Sequence, residues 1–392
     1  MKHVLLTGGR APATLDLARC LARAGHRVSI AESFPYHLSR YSRAVWKNFQ
    51  LPPPRDNPDL YIQTLADILR DHAIDLLIPT CEEIFWIARG GRQLTDCCDV
   101  LADDFSRVTT LHNKWEFIRL AQSYDLPAPA TILLTDPRTA GAQMLQWQAS
   151  RERQGVVLKP VFSRFASRTC LFPAGVDAGT TLPDFGGQAW VAQEFLRGPA
   201  YCTYSIARRG RLVAHATYGV TFQVGVGSAI CFPVVDHDGC RAWVEEFVAR
   251  SQFCGQIAFD FIESDGQVWA LECNPRLTSG VHLLTPAEGF SECFLGEPTE
   301  VITPPPQRTP IVRLPMLLWG AASIRSLAQG ADWLKQCLTG RDVTFRWFDP
   351  LPALDQFISL AGFWRISRRV GVSLTEATTH DMDWNGDQSP RQ

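Results

Sequence analysis

The chain has 392 residues, of which 46% are hydrophobic and 20% are charged, and its formal net charge is −2 at pH 7. This composition is typical of a globular protein with enough apolar material for two or three domains. The small net charge gives no reason to expect a nucleic acid or an anionic membrane as the partner, and no apolar run has the length of a membrane span.

The twelve cysteines are scattered along the sequence. They form no CxxC pair, and the one close pair, Cys97 and Cys98, is adjacent and lacks the spacing of metal ligands. The first residues hold too short an apolar run for a secretory signal. Thiols without a signal predict a cytoplasmic protein with reduced cysteines.

The first hundred residues predict a small parallel α/β domain of Rossmann type. A short buried strand at residues 3–6 runs into a glycine turn, and Gly25 ends the helix that follows. Further strands are predicted at residues 27–31, 74–79 and 99–102, with a helix at residues 60–71. We therefore expect the first domain to cover residues 1–104.

The turn after the first strand departs from a dinucleotide-binding fingerprint. Arg10 follows Gly8 and Gly9, and so stands where the fingerprint has the glycine that lets the backbone approach a pyrophosphate. Glu32 closes the second strand, where an acid can hold a ribose, but one acid is weak evidence. An NAD(P)-dependent oxidoreductase remains an alternative on this turn alone.

Residues 112–251 alternate between helices and strands. Helices are predicted at residues 112–123, 137–148 and 239–251. Strands are predicted at residues 131–134, 156–160, 169–172, 190–196, 201–207 and 211–218. Lys159 stands where one buried run stops, and a polar loop over residues 162–168 follows it.

The most informative segment is a predicted β-hairpin that follows the last of these helices. An Asp-Gly turn joins its two apolar arms. The first arm carries Asp260; the second carries Glu272 and, two residues on, Asn274, which therefore points the same way. Antiparallel pairing can bring Asp260 opposite them. Because buried carboxylates need a cation or donors, this oxygen-rich set predicts Mg²⁺ that holds a nucleotide's phosphates.

This hairpin resembles the metal-binding hairpin of the ATP-grasp superfamily, which includes D-alanine–D-alanine ligase, biotin carboxylase and carbamoyl phosphate synthetase. The resemblance covers residues 1 to about 300. It implies an α/β and α+β chain with a Rossmann-like parallel-sheet domain first. An ATP-grasp domain at residues 105–303 then comprises a lid subdomain (about 128–190) and an antiparallel-sheet subdomain, and residues 304–392 form a C-terminal α+β extension.

The resemblance implies ATP as cofactor with Mg²⁺, for which Mn²⁺ can substitute, bound by Asp260, Glu272 and Asn274. Lys114 and Lys159 resemble the two lysines that reach the phosphates. Lys159 is also predicted to act in catalysis.

A short segment before Gly198 resembles the hinge that binds adenine, since its extended backbone offers the donor and the acceptor that the base edge needs. The family often has an acid just after the hinge glycine for the ribose, but Pro199 and Ala200 stand there instead. What binds the ribose is therefore open. The predicted adenine-binding residues are Gln193, Glu194, Phe195 and Leu196.

Three arginines complete the predicted site. Arg276 resembles the catalytic arginine at the transferring phosphate, where a guanidinium stabilises developing negative charge. The loop at residues 162–168 has no glycine, unlike the glycine-rich loop of many relatives, and we expect Arg164 or Arg168 to contact phosphate in its place.

The N-terminal domain of such enzymes helps to shape the acceptor site. The resemblance therefore implies that side chains at the carboxyl ends of its strands face the central cleft, namely residues 7–10, Glu82 and Glu83.

Residues 304–392 carry no legible chemistry, and we expect them to cap the cleft or to form a dimer contact. A strand is predicted at residues 343–348, and helices near residues 323–338 and 354–370. The polar tail from residue 381 is predicted to be frayed. Four aromatic residues are predicted to be core: Trp333, Trp347, Phe357 and Trp364.

Taken together, these features predict an ATP-dependent ligase. It would activate a carboxylate as an acyl phosphate and join it to an amine, with small molecules as partners, no nucleic acid or membrane, and a homodimer as an option. The alternatives are an enzyme of the biotin carboxylase or carbamoyl phosphate type, the oxidoreductase above, and a nucleotide-binding regulatory module without turnover.

Overall fold

The structure is a computed structural model that describes residues 1–151, 155–164, 168–224, 227–296 and 298–386. A parallel sheet is followed along the chain by antiparallel sheets, which confirms the predicted mixed α/β class. Within these residues no helix is both long and apolar enough to cross a bilayer. The division into domains at residues 104 and 303 stays a prediction.

The first sheet has five parallel strands: β1 (His3–Thr7), β2 (Arg27–Glu32), β3 (Lys47–Gln50), β4 (Leu76–Ile78) and β5 (Asp99–Val100). Their order is β3-β2-β1-β4-β5, with the first strand in the centre as in Rossmann-type sheets. The sequence does not predict β3, because its residues are mostly exposed and form no apolar run. The accompanying helices are α1 (Pro12–Arg23), α2 (Pro58–Asp71), α3 (Ile84–Gly90) and α4 (Arg92–Thr95).

The helix predicted at residues 112–123 begins at Lys114, and a helix that was not predicted precedes it. Helix α5 (Phe105–His112) and helix α6 (Lys114–Ser123) are separated by the single residue Asn113, which is extended. The Asn113 side chain caps α6 by accepting two backbone N–H groups, each at 3.0 Å. The break therefore fixes Lys114 at the first position of α6.

Two four-stranded antiparallel sheets follow. The smaller is ordered β6-β9-β7-β8, and the larger β11-β10-β14-β15. The smaller sheet and its helix comprise β6 (Thr131–Leu134), α7 (Pro137–Ala149), β7 (Val156–Pro160), β8 (Cys170–Phe172) and β9 (Trp190–Glu194). The larger sheet and its surroundings comprise β10 (Ala200–Arg208), β11 (Arg211–Gly219), β12 (Gln223–Val224), β13 (Ser228–Ala229), α8 (Asp238–Ser251), β14 (Gly255–Ser264) and β15 (Gln267–Asn274).

Gly198 lies between these two sheets at a point of close approach. Its φ is +154°, and a Cβ there would lie 1.8 Å from the carbonyl oxygen of Glu263. Only glycine fits such a contact with backbone. The end of β9 is therefore held tightly against β14.

The last hundred residues are mainly helical and return to the first sheet. They comprise α9 (Val281–Leu284), a 3₁₀ helix (Phe290–Phe294), β16 (Pro310–Ile311), α10 (Arg313–Leu318), a second 3₁₀ helix (Gly320–Ser323), α11 (Leu327–Thr339), β17 (Arg341–Asp342), α12 (Leu351–Val370) and α13 (Leu374–Ala377). The strand predicted at residues 343–348 is wrong, because only Arg341 and Asp342 pair with β16. The buried Arg19 of α1 anchors this region by donating to Asp349 at 2.8 Å.

Two predictions about this region are wrong. Trp347, Phe357 and Trp364 are exposed rather than core, with Trp347 89% exposed, and Trp333 is only partly buried. The tail is not frayed over residues 381–386, since Trp384 is buried and packs against the rings of Trp86 and Phe105. The remaining tail residues, 387–392, lie outside the described part of the chain.

Candidate active site

The hairpin of β14 and β15 places two carboxylates face to face. Asp265 and Gly266 at its tip both have positive φ, 54° and 74°, as a tight two-residue hairpin turn needs. The arms pair antiparallel, and an irregularity between Asp260 and Phe261 shifts the register by one residue, so that Asp260 pairs with Glu272. Asn274 follows two residues later on the same strand, so its side chain leaves the same face of the sheet.

This donor set fits a divalent cation. Burial and the opposing Glu272 carboxylate raise the pKa of Asp260, so the pair is strained when both carboxylates are charged. A cation between them would relieve that repulsion, and oxygen ligands are those that Mg²⁺ prefers. The described residues contain no cluster of three His, Cys, Asp or Glu side chains that could hold a metal. The role of Asn274 as a third ligand stays a prediction; its amide oxygen accepts from Arg276 at 3.3 Å.

Both predicted lysines reach the hairpin. Lys114 Nζ lies 3.5 Å from a Glu272 carboxylate oxygen and donates to the Ser163 carbonyl at 2.9 Å. Lys159 Nζ donates to the Leu271 carbonyl at 3.2 Å. Both side chains are almost fully buried, and burial lowers the pKa of Lys159 to about 8. The structure thus gathers two ammonium groups beside the two carboxylates.

The predicted adenine-binding segment is the end of β9 and the residues after it. Its side chains are tied within the smaller sheet: Glu194 pairs with Arg151 at 3.2 Å, and Gln193 donates to a threonine hydroxyl at 3.2 Å. The N–H groups of Glu194 and Phe195 bond to neighbouring backbone carbonyls. Across the described residues, the N–H of Leu196 has no backbone partner, so it is the donor this segment has to offer.

Arg276 is held by Glu82 of the first domain. Its Nε donates to a Glu82 carboxylate oxygen at 2.7 Å, and its Nη2 donates to the Asn274 amide oxygen at 3.3 Å. The second Glu82 oxygen lies 3.4 Å from Arg164 Nε and 3.8 Å from His112 Nε2. The guanidinium of Arg276 therefore lies next to the third predicted metal ligand in a fixed orientation.

The two lid-loop arginines lie apart from each other. Arg164 is buried and pairs with Asp383 of the C-terminal tail as well as with Glu82. Arg168 lies over the Trp190 ring, 5.0 Å from its centroid, within the smaller sheet. Residues 165–167 between them lie outside the described part of the chain. The predicted phosphate contacts of these arginines stay predictions.

The turn that would bind a dinucleotide is filled by protein groups. Arg10 is buried and donates to Glu32 at 2.5 Å and to Asp381 at 2.6 Å. The Glu32 carboxylate accepts hydrogen bonds from Arg10 and from nearby backbone N–H groups. These contacts occupy the acid that a cofactor ribose would need, so the oxidoreductase alternative is not favoured.

Glu82 and Glu83, which were both predicted to face the cleft, have different partners in the structure. Glu82 reaches Arg276, as described above. Glu83 is a structural carboxylate: it accepts from the Thr7 hydroxyl at 2.5 Å and from the N–H groups of Thr80 and Cys81. It therefore fixes the carboxyl ends of β1 and β4 against each other.

Two residues that lie around Glu82 and Arg164, namely His112 and Asp383, were missed in the sequence analysis. His112 is buried, and burial lowers its pKa to about 3, so it is neutral at pH 7. Its position two residues before Lys114 is the only sequence signal that could have drawn attention to it. Asp383 lies in a tail predicted to be frayed, and no local pattern marks it as a partner of Arg164.

No protein-family model and no curated protein sequence matches the chain. Solved structures do match. The L-amino acid ligase of Bacillus licheniformis aligns with a TM-score of 0.57 at 15% identity, covering 75% of this chain and 73% of that one. N5-carboxyaminoimidazole synthetase of Staphylococcus aureus, solved with ADP, aligns with a TM-score of 0.61 at 12% identity. The alignment covers 79% of this chain and 80% of that one.

A third similar structure is the biotin carboxylase domain of the Hydrogenobacter thermophilus 2-oxoglutarate carboxylase. It was solved as a dimer with MgADP, ADP and bicarbonate. It aligns with a TM-score of 0.58 at 11% identity, covering 77% of this chain and 70% of that one. At these identities the likeness is one of fold.

Proposed function

We propose that this chain, which has the ATP-grasp fold, is an ATP- and Mg²⁺-dependent ligase that joins a carboxylate to an amine. The observation that carries the proposal is the meeting of Asp260 and Glu272 with the ammonium groups of Lys114 and Lys159. ADP in two of the similar structures, in one of them as its magnesium salt, supports the cofactor assignment. The amino acid ligase supports the reaction class.

Each group around the hairpin has a role in this proposal. Asp260, Glu272 and Asn274 would hold Mg²⁺, which supplies charge neutralisation at the phosphate oxygens when bound. The two lysines neutralise the phosphate charge that remains. Because both ammonium groups are nearly buried, their attraction for phosphate is screened less than it would be at the surface.

The chemistry proceeds in two displacements. A substrate carboxylate oxygen attacks the γ-phosphorus of ATP, the bond to the bridging oxygen breaks, and ADP leaves. The amine nitrogen then attacks the acyl carbon, phosphate leaves with the bonding electrons, and the amine loses a proton. In this proposal Arg276, held by Glu82, stabilises negative charge on the oxygens during both steps.

The adenine lies, in this proposal, against the end of β9. The Leu196 N–H donates to a ring nitrogen and a backbone carbonyl of the segment accepts from the exocyclic amine. Glu194 supports this strand through Arg151.

A substrate screen tests the proposal. Amino acids, other small carboxylates and small amines are supplied in pairs with ATP and Mg²⁺, and ADP and product are detected by mass spectrometry. The ligase assignment predicts ADP formation that depends on both substrates and on Mg²⁺. ADP formation that needs a carboxylate but no amine, or formation of AMP, would contradict it.

A further inference from the structure

Helix α12 lies on the protein with its polar side inward. Its buried residues include Asp355 and Ser359, and the Ser359 hydroxyl donates to the Tyr36 carbonyl at 2.5 Å. Gly362 packs so closely that a Cβ there would lie 2.5 Å from the Phe34 ring. Phe363 stacks on that ring at 4.5 Å. These contacts hold the helix firmly in one orientation.

The opposite side of α12 is apolar and faces solvent, which reverses the usual pattern of a surface helix. Its exposed apolar side chains are spaced three, four and seven residues apart, so they form one stripe, and two further exposed aromatic residues stand three and four residues before the helix begins. We call this set the α12 face: Trp347, Phe348, Leu351, Leu354, Phe357, Ile358 and Trp364.

The α12 face is large enough for a stable interface. Its four aromatic residues are each more than half exposed, and with side chains of roughly 150–250 Å² they present on the order of 500 Å². That already matches the largest apolar patch of about 300–600 Å² on an ordinary monomer. The three aliphatic residues bring the area near the roughly 800 Å² that each partner contributes to a standard interface.

Charge is distributed unevenly along the same helix. Its last turns expose Arg365, Arg368 and Arg369, whereas its only acidic residue, Asp355, is buried. A parallel pairing of two such helices would bring like charges together without a counter-charge. An antiparallel pairing would place the arginines at the C-terminal end of each helix over the aromatic residues that precede the N-terminal end of the other. Arg368 already lies over the Trp364 ring at 5.7 Å, which shows that this face accepts such stacking.

From this area and this charge pattern we propose that the α12 face binds a second copy of the chain. The two α12 helices pack antiparallel about a twofold axis, and Trp347 of each copy meets the basic end of the other. Ile358 and Ala361, near the middle of the helix, lie beside the axis and contact their own counterparts. This interface is independent of the proposed ligase activity.

Sedimentation of the full chain at micromolar concentrations tests the interface. The wild type should sediment at twice the chain mass. Leu354→Glu and Ile358→Glu change exposed positions, so they should keep the wild-type melting temperature and weaken the dimer at least 100-fold. The matched control is Leu334→Glu on α11, where a leucine is exposed to a similar degree on another helix; it should remain dimeric.

Cross-linking gives a second test, which detects the dimer directly and does not depend on a variant that disrupts the interface. With a short bismaleimide, Ile358→Cys should form a covalent dimer beyond the background that the twelve native cysteines give in the wild type. Leu327→Cys, an exposed position on α11, should not.

Three results would overturn the proposal. They are a monomeric wild type at these concentrations, a dimer that survives Ile358→Glu, and a monomer that binds vesicles of phosphatidylglycerol through this face. The last would identify the α12 face as a lipid-binding surface.

Discussion

The Glu82 carboxylate and the Arg276 guanidinium are joined at 2.7 Å across 194 residues of chain, which ties the turn after β4 to the end of the β14–β15 hairpin. Burial would raise the pKa of Glu82, but Arg164 and Arg276 lower it to about 2, so the carboxylate is charged at neutral pH. We infer that Glu82 is a positioning residue: it orients the arginine that stands beside Asn274.

Glu82→Gln should therefore impair turnover more than nucleotide binding. The variant keeps the shape of the side chain but weakens its hold on Arg276, and a misplacement of about 1 Å can cost roughly 100-fold in rate. We expect kcat to fall about 10- to 100-fold while the KM for ATP changes little. Steady-state kinetics check this, with the exposed Glu116→Gln as control. An unchanged kcat would show that Arg276 needs no such support.

Lys159→Met should weaken ATP binding without destabilising the fold. The methionine fills the same space but removes an ammonium group that burial already disfavours, as its lowered pKa of about 8 indicates. We expect ATP affinity in the presence of Mg²⁺ to fall about 10- to 100-fold, with an equal or higher melting temperature. A fluorescent ATP analogue and calorimetry measure the two quantities. The exposed Lys47→Met is the control, and equal affinity in both variants would contradict the assigned role.

The pair of Asp381 and Arg10 should give the tail a pH-dependent contribution to stability. Burial opposes ionisation, but Arg10 lowers the pKa of Asp381 from 3.8 to about 2. A lowered pKa stabilises the folded state above about pH 4, and that contribution is lost as the pH falls from about 4 to about 2. Asp381→Asn should thus lower the free energy of unfolding by about 2 kcal/mol at pH 7 and have almost no effect near pH 2.

Urea unfolding of wild type and Asp381→Asn at several pH values measures this difference. The control is Asp71→Asn at the exposed end of α2, which should show a small difference that changes little with pH. A difference for Asp381→Asn that stays constant between pH 7 and pH 2 would show that the ion pair does not carry the effect.

Trp384→Ala should destabilise the chain strongly, although it lies near the C-terminus. Its ring is buried and packs edge-on against Trp86 at 5.0 Å and Phe105 at 5.4 Å. Loss of a buried tryptophan typically costs about 3–5 kcal/mol. Thermal unfolding checks this, with Leu327→Ala at a fully solvated position as control. A loss of only a few tenths of a kcal/mol, as a frayed tail implies, would contradict the packing.

The hairpin could be predicted from sequence because its signals are local. The Asp-Gly turn predicts the hairpin, but its register alone would place Leu271 opposite Asp260; an irregularity in the pairing between Asp260 and Phe261 brings Glu272 there instead. The partner of Arg276 could not be predicted in this way, because Glu82 lies 194 residues away in the turn between β4 and α3, and only tertiary packing joins the two residues. The roles of His112 and Asp383 were missed for the same reason.

The C-terminal region was predicted poorly because hydrophobicity was taken as a sign of burial. In α12 the inward positions other than Phe363 are small or polar, and Ser359 and Gly362 fit closely against Tyr36 and Phe34. The large apolar side chains are consequently left on the outer side, as at Phe357 and Trp364. Apolar content indicates that a surface needs a partner, but it does not say whether that partner belongs to the same chain.

The central claim is that Asp260 and Glu272 hold a divalent cation that binds together with ATP. Calorimetric titration of a non-hydrolysable ATP analogue, with and without Mg²⁺, tests it on the wild type and on the Asp260→Asn, Glu272→Gln double variant. The account predicts that Mg²⁺ strengthens binding to the wild type by at least about 10-fold and has no effect on the variant. Binding to the wild type that is indifferent to Mg²⁺, or an equal Mg²⁺ effect in the variant, would contradict it.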